Sequence, residues 1–206
     1  MITLQIDEEI VTVTNKLQQE TSATIAKETA EAAVFACIQA GALELDGQTI
    51  VFKEKSLFAD TVRIRLPEDF TLMDRELAVL KYPSGRRPNL IYTDPSTTVN
   101  IAFNYTATSL MSKDIDTFKK TMMQTIRRMQ PVRFLEEPVI IRNGRQMGCF
   151  EFISPALDGE IYNLTAFTPL NGRAILIGFN CYEEERPKWQ PVARGIINTL
   201  QVTTGI

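Results

Sequence analysis

Residues 138–181 read PVIIRNGRQMGCFEFISPALDGEIYNLTAFTPLNGRAILIGFNC and carry three turn dipeptides, Asn143-Gly144, Asp158-Gly159 and Asn171-Gly172. Asn-Gly and Asp-Gly supply the positive φ angles that tight hairpins need. The dipeptides stand about 14 residues apart, so the strands between them are long enough to pair as an antiparallel meander. The spacing predicts strands over roughly 138–142, 145–153, 160–168 and 173–181.

Working outward, Ser112 to Gln130 places Ile115, Phe118, Met122, Ile126 and Met129 at helical steps of three and four. Ser112 is read as the N-cap. Asp114 and Asp116 sit in the first turn and Arg127 and Arg128 in the last, as the helix dipole favours. Glu184 to Leu200 is also helical, with Trp189, Val192, Ile196 and Leu200 on one face. Upstream, Thr49 to Phe52, Val62 to Leu66, Leu77 to Tyr82, Asn89 to Tyr92 and Thr98 to Tyr105 read as short strands. In the second of these Val62, Ile64 and Leu66 alternate with Arg63 and Arg65, the pattern of a half-buried strand that Pro67 stops. Residues 1–45 are helical instead. Ile6, Ile10, Val13 and Leu17 share a helix face, and Thr21 to Ala40 forms a hairpin or an interrupted continuation ended by Gly41. Hairpin-linked strands packed by helices imply an α+β fold: a central antiparallel sheet between helices. The division read from this is a helical segment over 1–45 and an α+β domain over 46–206.

Composition narrows the chemistry. The chain has 206 residues, 44% of them apolar, and a net charge of −3. That balance disfavours general nucleic-acid binding, which needs a clustered basic surface. The N-terminus has no basic and apolar signal pattern, and no apolar run reaches the roughly 18 residues of a membrane span. Cys37, Cys149 and Cys181 are odd in number and far apart, as for buried thiols of a reducing compartment, so the expected location is cytoplasmic with no membrane association. Histidine is absent altogether, which removes His-assisted catalysis and imidazole-ligated zinc. No cofactor or metal site is expected, nor an enzyme activity.

The candidate surface feature is the loop Ser84-Gly-Arg-Arg-Pro88, in which Arg86 and Arg87 could clasp a phosphate or carboxylate, with Asp94 as a nearby acid. The plainer reading is a solvated loop. The acidic pairs Glu136-Glu137, Asp114/Asp116 and Glu183 to Glu185 read as structural before acid–base or ion-binding groups, the last two because they stand at helix starts. Met111, Met122, Met123 and Met129 read first as packing and second as an adaptable groove.

The order of elements has a further meaning. A strand ends in Leu66-Pro67 and is followed by Asn100-Ile-Ala-Phe-Asn104, the Phe118 to Met129 helix and the Asn143-Gly-Arg145 turn. Then come Asp158-Gly-Glu-Ile-Tyr-Asn163, Gly172-Arg-Ala-Ile-Leu-Ile-Gly-Phe-Asn180 and Trp189 leading into Ile196 to Leu200. Over about residues 50–203 this resembles the PsbP-like superfamily, which includes photosystem PsbP, the bacterial DcrB proteins and a Ran-binding nuclear import factor. The resemblance implies an α/β/α sandwich with the N-terminal helices as an addition. It implies a non-catalytic binding, adaptor or chaperone-like accessory protein whose partner is another protein. The contact would be made by the sheet face or the N-terminal helices. No residue-level motif carries over. Two other readings stand beside it: a small-molecule or anion binder, even a weak hydrolase, using the Arg86 and Arg87 loop, and a homodimer built through the N-terminal helices.

Overall fold

The computed structural model describes residues 3–83, 85, 87–135 and 146–203, with residues 3–15 and 17–20 given by their backbone alone. In chain order the elements are α1 (Thr3–Ala40), β1 (Ala42–Leu45), β2 (Gln48–Leu57), β3 (Val62–Pro67), β4 (Thr71–Leu72) and α2 (Arg75–Lys81). Then follow β5 (Leu90–Thr93), β6 (Asn100–Ser109), α3 (Ile115–Met129), β7 (Arg133–Phe134), β8 (Gly148–Ala156), β9 (Gly159–Leu170), β10 (Arg173–Tyr182), α4 (Arg186–Asn198) and β11 (Gln201–Val202).

α1 is one unbroken helix of 38 residues, with neither hairpin nor interruption. No Gly or Pro stands between Thr3 and Ala40 to break it. It stops where Gly41 turns to φ +99° and its N–H bonds back to the Cys37 and Ile38 carbonyls at 3.0 and 3.1 Å. Residues 42–45, which the sequence pattern includes in the helical segment, are strand and pair with β2 across Asp46-Gly47. Residues 77–82 are a second correction. They belong to α2, because the Asp74 carboxylate accepts from the Glu76 N–H at 2.7 Å and caps a run of good helix formers. Ser112 does not cap α3 either. It lies in a 3-10 turn, Ser112–Asp114, that leads into the helix.

All pairings are antiparallel. One sheet has four strands in the order β1-β2-β3-β11, and the other has seven in the order β4-β5-β6-β10-β9-β8-β7. The expected meander is present from β8 through β10. Its Asn143-Gly144 turn, the 138–142 strand and the Glu136-Glu137 pair lie outside the described residues.

Register decides what each face carries. Across the seven-stranded sheet Ile101, Phe179, Leu164 and Glu151 stand opposite one another, and Asn100, Asn180, Asn163 and Phe152 form the next row on the other face. On the first face Ile101, Leu164 and Phe179 meet Trp189, Val192 and Ile196 of α4 in the main core, which also takes Val62, Ile64 and Leu66 of β3. On the second face two smaller cores sit apart. Phe150, Phe152, Phe167 and Ala174 lie under α3, and Ile91 and Ala102 lie under α2 with Ala78. α1 covers the outside of α4. It crosses at Gly195, where a Cβ would stand 2.7 Å from Ile38 Cδ1 and 3.3 Å from Val34 Cγ1.

Candidate functional site

The residues singled out from sequence fall around β5. Arg86 lies outside the described residues. Arg87 precedes the strand and is half-buried, its Nε donating to the Tyr82 carbonyl at 2.9 Å. Among the described residues nothing accepts from its two terminal nitrogens. Asp94 follows the strand. It accepts from the Val99 N–H at 2.9 Å and from the Ser96 N–H at 3.2 Å and Oγ at 2.5 Å, so both its oxygens hold the 94–99 turn. The two residues therefore stand beyond opposite ends of β5. Arg87 is anchored and still offers two donors; Asp94 is engaged locally.

Between α2 and α3 the second face of the large sheet lies open as a groove. Its floor is the middle of β10 and β9, Gly178 and Thr165 in one row and Asn180 and Asn163 in the next, with Ala102 and Asn100 continuing the two rows buried on the α2 side. Gly178 is half-exposed although it sits on the central strand. A Cβ built there meets no atom within 4 Å. In a strand interior such a glycine marks room for a close approach. The amides beside it form an oriented chain. Asn100 Nδ2 donates to Asn180 Oδ1 at 3.0 Å, and Asn180 Nδ2 donates to the Tyr82 hydroxyl at 3.1 Å. Burial raises the Tyr82 phenol above its ordinary value, so it stays protonated and keeps a donor at the end of the α2 wall. Arg87 is tied to the backbone of the same tyrosine, which places that arginine at the rim of the groove. On the other wall Met122 and Met123 are half-buried against the α3 core.

A second polar site sits on the opposite side of the sheet, where sequence reading did not look. Glu151 on β8 is 1% exposed and Arg194 on α4 is equally buried. The guanidinium grips the carboxylate with two bonds, Nε to Oε1 at 2.6 Å and Nη2 to Oε2 at 2.8 Å, while Gln190 Nε2 donates to Oε2 at 2.6 Å. The remaining Nη1 donates to Glu31 of α1 at 2.5 Å. Burial alone would lower the Arg194 pKa, but the two carboxylates raise it above the ordinary value. A cleft of about 200 Å³ opens above this cluster, lined by Lys27, Ala30, Glu31, Gln190, Pro191 and Arg194. The cluster ties three elements together, one guanidinium bridging two carboxylates, which is the arrangement of a structural pin. The signal was available: Glu151 is a lone acid between Phe150 and Phe152 on a strand of apolar residues.

Two of the cysteines, Cys149 and Cys181, are buried as protonated thiols. Burial pushes the Cys149 thiol up to about 12, helped by the Glu151 charge, and does the same to Cys181, helped by Glu185 and Glu183. Among the described residues no three metal-ligating side chains gather, and no helix is long and apolar enough to cross a membrane.

With this geometry in view, the backbone is similar to two solved structures. Cyanobacterial PsbP (CyanoP) from Synechocystis sp. PCC 6803 matches with a TM-score of 0.55 at 12% identity, over 74% of this chain and 92% of that one. The Ran-binding protein Mog1p of Saccharomyces cerevisiae matches with a TM-score of 0.52 at 10% identity, over 75% and 97%. The fold is PsbP/Mog1-like, as the order of sequence elements implies. At these identities the likeness is one of fold. No family model matches the sequence, and no curated protein does.

Proposed function

We propose that this chain is a non-catalytic accessory protein that works by holding a protein partner in the groove between α2 and α3. The observation that carries the reading is the open floor at Gly178. A central strand with a helix on each side leaves its middle uncovered, over a row of hydrogen-bonding amides. Side-chain amides both donate and accept, so they match the N–H and C=O groups of a polypeptide. The walls support the same reading. Val79 and Leu80 on α2 are 46% and 77% exposed, and Met129 at the end of α3 is 79% exposed. Exposed apolar side chains beside a polar floor are what a protein interface uses. Mog1p, which has this fold, is a Ran-binding protein, so the scaffold is competent to hold another protein. The absence of histidine and the two high-pKa thiols weigh against catalysis.

The test uses the empty space itself. Gly178→Leu puts a side chain into the groove whose Cβ meets no described atom within 4 Å, so the variant should fold with a melting temperature close to that of the parent. Gly178→Cys carrying a benzophenone label should cross-link a partner in lysate of the native cell, and unlabelled Gly178→Leu should fail to compete with it for that partner. If Gly178→Leu competes as well as the parent chain, the partner sits elsewhere and the reading fails.

A further inference from the structure

The charge around this groove is lopsided, and it points to a class of partner. The described residues of the segments that flank it, 73–89 and 111–129, contain eight basic and four acidic residues, a net of +4 in a chain whose net charge is −3. The four acids, Asp74, Glu76, Asp114 and Asp116, all stand at helix starts, where the dipole favours negative charge, and Asp74 also accepts the Glu76 N–H. Among the described residues, no basic residue of these two segments is in an ion pair. Elsewhere the ion pairs occupy Lys53, Arg63, Arg186, Lys188 and Arg194. The acidic surplus of the molecule therefore lies away from the groove, and the basic surplus is left uncompensated beside it. A cleft lined by one sign of charge concentrates the opposite sign.

Resting on the groove proposed above, we infer that its occupant is an acidic, partly apolar polypeptide segment. The apolar component follows from the same helices. Val79, Leu80, Met111 and Met129 are four of the exposed large hydrophobic residues, and they stand on α2, at the entry to α3 and at its end. Arg87, fixed through its Nε, presents its two remaining donors in the planar fork that suits a carboxylate. A nucleic acid would meet the charge but not the rest. The phenylalanines on this face, Phe150, Phe152 and Phe167, are buried under α3 and offer no base a stacking platform.

The experiment uses the full chain and three fluorescein-labelled probes: a short peptide of glutamate and leucine, its lysine and leucine counterpart, and a single-stranded oligonucleotide. Anisotropy should show the acidic peptide binding, more weakly as salt rises, and the lysine peptide not binding. Gly178→Leu and Arg87→Glu should each weaken the acidic peptide by about tenfold or more, the cost of one blocked or reversed contact. The inference is overturned if the acidic peptide does not bind, if the lysine peptide or the oligonucleotide binds as tightly, or if both variants bind like the parent. Should a partner cross-link through position 178 while the acidic peptide fails, the charge inference alone is lost and the groove stands.

Discussion

At the scale of single residues the decisive pair is Glu151 and Arg194. A buried ion pair contributes little net stability over an apolar replacement, yet removing one partner strands the other charge. Arg194→Met leaves the Glu151 carboxylate buried without its cationic partner, and should cost about 3–5 kcal/mol in urea denaturation. The double variant Glu151→Leu with Arg194→Met should recover most of that loss. If the single variant costs under about 1 kcal/mol, water reaches Glu151 and the pin is not a pin. This pair also shows why the sites were only partly legible. Arg86 and Arg87 announce themselves as adjacent charges on a Gly/Pro loop. The groove depends on Asn180, Asn163 and Asn100 meeting across three strands and on Gly178 lying bare, relations set by register. Arg194 gives no hint that its partners are 43 and 163 residues away.

Among the elements, those with a strong period were readable and those without were not. β3, β6, β9, β10 and α3 follow from alternation or three-four spacing. α2 did not, because seven residues give a helix too little length to show its period, and Leu77 to Tyr82 reads equally well as an apolar strand. The second sheet was hidden for another reason: β11 is two residues long and pairs with β3, which lies far upstream in the chain. The element with the sharpest consequence is α1. Its last turns reach α4 only because residue 195 is glycine, and they bring Ile38 into the core and Glu31 to Arg194. Gly195→Leu inserts a side chain where Ile38 and Val34 already stand, and should cost about 1–3 kcal/mol. Hydrogen exchange should then speed up over residues 27–40 of α1 more than over β8 to β10. Equal protection in the parent and the variant would mean that α1 does not depend on this crossing.

For the molecule as a whole, the main core joins both sheets through α4, so they should unfold together. Trp189, the single tryptophan, reports on that junction because it packs 6.0 Å from Phe70 and 6.2 Å from Phe179, centroid to centroid. Its fluorescence and far-UV circular dichroism should trace one denaturation curve. The same core makes stability depend on alkaline pH. Cys149 and Cys181 both lie in it, with thiols raised from an ordinary 9.0 to about 12. Below pH 9 neither state ionises them and stability is unaffected. Above it the unfolded chain loses protons that the folded chain keeps, so unfolding is favoured increasingly up to about pH 12. Each thiol should steepen the fall towards about 1.4 kcal/mol per pH unit. The clean window is pH 9 to 10, below the ordinary phenol value of 10.0, because the tyrosines add their own slope above it. Urea midpoints measured there should fall with pH in the parent chain, and fall less steeply in Cys149→Ala with Cys181→Ala. A double variant that keeps the full slope would show that the thiols are not held protonated by the core. Separate transitions by the two probes would show that the core does not unite the sheets.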